Sequence, residues 1–77
     1  MNKDRRSRLL DVASQLNDVI DAIREIQDEE QEAFDNMPEG FQNGDRGQSM
    51  MDAVDKMDDF ISSIETLQGE IEDFAKQ

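Results

Sequence analysis

The chain reads as all-α, a long antiparallel two-helix hairpin that dimerises into a four-helix bundle. Three observations predict this. Leu9, Val12, Leu16, Val19, Ile23, Ile26 and Ala33 recur at a three-four spacing. Met50, Ala53, Met57, Phe60, Ile64, Leu67, Ile71 and Phe74 do the same. Between the two runs lies Asn36-Met37-Pro38-Glu39-Gly40, a segment that breaks a helix.

Helix 1 is expected over about residues 4–36, with Asn2 or Asp4 able to cap it. It ends there because Pro38 pushes Met37 out of the helical region. The turn spans residues 37–44 and combines Pro38, Gly40, Phe41 and the Asn43-Gly44 pair. Helix 2 is expected over about 46–76, capped by Asp45 with Gln48 three residues on. Ser49 followed by Asp52 is a second candidate start. Residues 1–77 thus form one helical-hairpin domain.

The register follows from the same pattern. With level partners whose numbers sum to 83, Leu9 meets Phe74, Val19 meets Ile64 and Ile26 meets Met57. Every position of the expected seam finds an apolar partner except Glu30, opposite Ala53. A second stripe runs beside this seam: Ala13, Ile20 and Phe34 on helix 1, with Val54, Ile61 and Ala75 on helix 2. Two helices cannot bury both stripes, so the second is expected to carry a homodimer contact. The alternative is that it packs against a partner protein's helix.

Composition limits what the molecule can be. Seventy-seven residues with no cysteine and no histidine make one small domain without disulfides. Twenty acids against eight bases give a net charge of −12. Residues 1–8 hold four cations and one acid, so the remainder carries −15. Such a surface repels nucleic acid and anionic lipid and attracts basic proteins or cations. The basic start has two readings. Arg5 to Arg8 can pair with Glu70, Glu72 and Asp73 at the end of helix 2, or they can form a binding tail. The segment after them is too short and polar for a signal sequence, and no run is long enough to span a bilayer. A soluble, cytoplasmic protein is expected.

The acids crowd the half nearest the turn. Asp28, Glu29, Glu30 and Glu32 lie level with Asp52, Asp55, Asp58 and Asp59. The plain reading is a solvated, solubilising belt. The functional reading is a docking surface, with Asp28, Glu29, Glu32, Asp52, Asp55, Asp58 and Asp59 as contact residues. At the turn, Phe41 either caps the bundle end or anchors a partner. Arg46 beside it can hold a turn carbonyl or a partner carboxylate. Other chemistry lacks its residues. No imidazole or thiol is present for nucleophilic catalysis or zinc. An EF-hand starting at Asp35 places Met37 on an oxygen-ligand position and Arg46 on the bidentate one. Glu29-Glu30-Gln31-Glu32 and Asp52-Ala53-Val54-Asp55 are similar to the acidic helix motifs of all-α nucleoside triphosphate pyrophosphohydrolases, which hold magnesium. Asp52 departs from the expected glutamate, and the likeness covers only those eight residues. No catalytic, cofactor or metal residue is assigned.

Asp35-Asn36-Met37-Pro38-Glu39-Gly40-Phe41-Gln42, followed by Asp45-Arg46-Gly47, resembles the central turn of small acidic helical proteins of phages and prophages of Gram-positive bacteria. The likeness extends into both flanking helices, with Asn43-Gly44-Asp45 in place of a serine cap. It implies a phage setting and carries no activity with it. It favours an interaction protein that blocks a host nucleic-acid-binding or defence factor, in part by imitating the charge of DNA. The alternative is a structural or regulatory subunit. Magnesium-dependent nucleotide hydrolysis is a distant third.

Overall fold

The computed structural model describes residues 1–77 as two long helices joined by a short one. α1 runs Lys3–Asp35, α2 Glu39–Gln42 and α3 Asp45–Ala75. α1 and α3 pack side by side in a rod of 59 × 15 × 10 Å. Its radius of gyration is 17.6 Å, against about 11.5 Å for a compact chain of this length. No helix is long and apolar enough to cross a membrane.

Capping follows local chemistry. Asn2 is the N-cap of α1, and its side-chain oxygen accepts from the Arg5 N–H at 2.8 Å. α1 stops where Pro38 removes a donor, and the Asn36 N–H still reaches the Glu32 carbonyl. The turn is more ordered than its composition suggests. Phe41 and Gln42 N–H groups both donate to the Pro38 carbonyl, which closes the single turn of α2. Gln42 Nε2 then donates to the Phe34 carbonyl at 3.0 Å, tying α2 to the end of α1. The start of α3 differs from expectation. Gly44, with no side-chain bond, is the cap, and Asp45 is the first helical residue. There its carboxylate still lies favourably on the positive end of the helix dipole.

The register agrees with the expected offset. Gln68 Nε2 donates to the Ala13 carbonyl at 2.7 Å and to Asn17 Oδ1 at 2.8 Å. Gln27 Nε2 donates to the Val54 carbonyl at 3.0 Å and to Asp58 Oδ1 at 2.6 Å. Each pair of partners gives sums of 81 and 85, which bracket 83.

The seam itself is a correction. Ala13, Ile20, Val54, Ile61 and Ala75 are buried between α1 and α3, with Phe34 half-buried in the same row. These residues, expected on an outer dimer stripe, are the hairpin's own core. In heptad terms they form row a, together with Gln27, Gly47 and Gln68. Leu9, Leu16, Ile23, Met57, Ile64 and Ile71 form a half-buried row d. Val12, Val19, Ile26, Phe60, Leu67 and Phe74, expected inside, form an exposed row g. Small residues explain the exchange. Ala13 and Ala75 let α1 and α3 approach, Gly47 lets α3 close on Gln42 of α2, and two glutamines reach across the seam to backbone carbonyls.

Candidate protein-docking surface

An antiparallel helix pair has two unlike sides. Row e faces row e on one, and row g faces row g on the other. The e side is polar. Arg24 pairs with Glu65 across it at 3.8 Å, and both Gln27–Asp58 and Gln68–Asn17 bonds lie there. The acidic belt sits mainly on this side and on the outer backs of the helices. Asp28, Asp55 and Asp58 share the polar side. Glu32, Asp52 and Asp59 lie on the backs, and Glu29 borders the apolar side. All seven are exposed. The sequence places them level along the rod, and the structure spreads them around it.

Their electrostatics are unneutralised. The ion pairs of the molecule are Arg24–Glu65 and Arg8–Asp4. No belt carboxylate has a cation within 4 Å. The expected pairing of Arg5 to Arg8 with Glu70, Glu72 and Asp73 is absent. Arg8 bonds within its own helix instead, one turn back, at 3.9 Å. Asp58 and Asp52 accept from Gln27 and Gln48, at 2.6 and 3.0 Å. No three acidic side chains gather closely enough to hold a metal ion. Glu29, Glu32, Asp52 and Asp55 lie on different faces of this hairpin.

The turn end carries the other candidate residues. Phe41 is 63% exposed, the most exposed large apolar side chain of the chain. It leaves the bundle end uncapped. With Ala33, Met37, Pro38, Arg46 and Met50 it lines a shallow depression of about 450 Å³. The Arg46 guanidinium makes no hydrogen bond to a turn carbonyl and no ion pair, so it borders this depression unengaged. Sequence reasoning missed the exposure of row g. The only cue pointed the other way to hydrophobicity: row a holds the small residues Ala13, Gly47 and Ala75, which suit a close helix contact. No protein-family model, curated protein or solved structure matches this chain.

Proposed function

We propose that this protein is a non-enzymatic interaction module of phage or prophage origin. It docks through its acidic belt on a basic, nucleic-acid-binding protein of the host and blocks it. One observation carries this reading: seven exposed carboxylates in the turn half lack any cationic neighbour within 4 Å. Residues 21–62 hold 13 acids and 3 bases, a net of −10. A charge of that density costs self-repulsion in the free hairpin, and a basic partner relieves it. Acids on three sides of the rod support docking in a basic cleft that ordinarily holds nucleic acid. Phe41 and Arg46 add an apolar anchor and a hydrogen-bond fork at one end.

The test combines capture with charge reversal. Tagged protein is used to capture host partners, and duplex DNA is added as competitor. The expected partner binds nucleic acid, is released by DNA and by salt, and is lost with Glu32→Lys/Asp55→Lys/Asp59→Lys while helicity is retained. A partner held equally by the triple variant rules the belt out.

A further inference from the structure

The side of the hairpin opposite the Arg24–Glu65 pair is apolar. Val12, Val19 and Ile26 on α1 are 44–56% exposed, and Phe60, Leu67 and Phe74 on α3 are 47–53% exposed. These two rows flank the half-buried row d, so the apolar surface runs across both helices for most of the rod. No acid falls in either exposed row. The next positions outward are Arg8, Gln15, Ala22 and Glu29 on α1, and Ser49, Lys56, Ser63 and Glu70 on α3. Two cations and two anions leave that border neutral in a chain of −12. Lys56 also lies over the Phe60 ring, at 5.6 Å.

We infer that a second copy of this chain covers this face. The two hairpins lie with their turns at opposite ends, α1 against the other α1 and α3 against the other α3. This dimer uses the exposed rows, and the residues first expected to form it lie inside each hairpin. Three observations select this occupant and this orientation.

The first is area. The chain exposes 5695 Å² at 8.8 kDa, where a compact monomer of that mass exposes about 4,800 Å². The excess of about 900 Å² is close to the ~800 Å² that each partner buries in a stable interface.

The second is self-complementarity. Residue 19 lies level with residue 64 in the register. A two-fold axis passing beside them brings Arg8 of one copy to Glu29 and Glu30 of the other. The same operation brings Lys56 to Glu70. Glu30, the one half-buried acid of row d, then has a cation.

The third is charge along the rod. The turn half carries −10, whereas the other half has 7 acids and 5 bases, a net of −2. Turns at the same end stack −10 on −10 across helices about 10 Å apart, close to the Debye length of about 8 Å. Turns at opposite ends set −10 beside −2.

The chain has no cysteine, so Asn43→Cys gives a single label in the turn. Light scattering and pulsed dipolar spectroscopy are run on the same spin-labelled sample. The expected result is twice the chain mass, with labels separated by about the rod length of 59 Å. Labels within about 25 Å, near two helix diameters, overturn the orientation. A monomer at 100-micromolar concentration or above overturns the dimer and assigns the face to another protein's helix. A charge swap provides a second route through exposed positions. Lys56→Glu weakens the dimer roughly tenfold over its two symmetric contacts, and Lys56→Glu/Glu70→Lys restores it. Rescue by Glu29→Lys instead of Glu70→Lys overturns the orientation, because those residues meet only when the turns coincide.

Discussion

Gly47 is the residue on which the turn closes. A Cβ there runs into the backbone of Gln42, meeting its carbonyl oxygen, its carbonyl carbon at 2.6 Å and its Cα at 2.7 Å. Backbone cannot swing aside as a long side chain can, so α3 would have to shift away from α2. Gly47→Ala is expected to destabilise the hairpin by about 1–3 kcal/mol. Gly69 is the internal control, since a Cβ there meets nothing within 4 Å. Gly69→Ala is expected to stabilise α3 by up to about 1 kcal/mol through helix propensity. Urea unfolding followed by circular dichroism measures both, and equal effects at the two sites would remove the close approach as the reason for glycine. The sequence shows Arg46-Gly47 after a turn. It cannot show that Gln42 stands against the glycine, because that contact depends on how α2 folds.

At the scale of the helices, periodicity made the hairpin, its turn and its offset legible, but the choice of seam was off by one row. The apolar sector is three rows wide, and hydrophobicity alone ranks row g above row a. Row g reads Val12, Val19, Ile26 and Phe60, Leu67, Phe74. Row a is interrupted by Gln27, Gln68 and Gly47. What decides is fit. Small residues permit close packing, and each glutamine amide finds a carbonyl across the seam, an arrangement invisible to a count of apolar residues. This assignment has a direct consequence for stability. Ile20, 4% exposed, touches only its own hairpin, so Ile20→Ala is expected to cost about 2–4 kcal/mol at every protein concentration. Ile26, 56% exposed, would contribute only through the proposed second copy. Ile26→Ala is expected to cost under about 1 kcal/mol in dilute solution and more as concentration rises. Thermal melts at two concentrations separate them. A concentration-dependent penalty at Ile20 would return it to an intermolecular stripe.

At the scale of the whole molecule, the two proposed surfaces differ in how salt would affect them. The acid density of the turn half was legible from the sequence. Its spread over three sides was not, since that depends on which row faces inward. Docking of the belt on a basic partner is an attraction between unlike charges, so screening weakens it. Association of two hairpins brings together two chains of −12 each, so screening strengthens it. The few border pairs, Arg8 and Lys56 with their acids, oppose that trend weakly because exposed pairs contribute ~0.5 kcal/mol each. Raising sodium chloride from about 50 to 500 mM, a change that shortens the Debye length to a few ångströms, is therefore expected to lower the dimer Kd several-fold. The same change should release a belt-bound partner. Sedimentation equilibrium reads the first and salt elution of the captured partner reads the second. A dimer that dissociates as salt rises would mean that ion pairs, and not the Val12–Phe74 face, hold the copies together. A partner that stays bound at high salt would shift its contact from the carboxylates to Phe41 and the apolar depression around it.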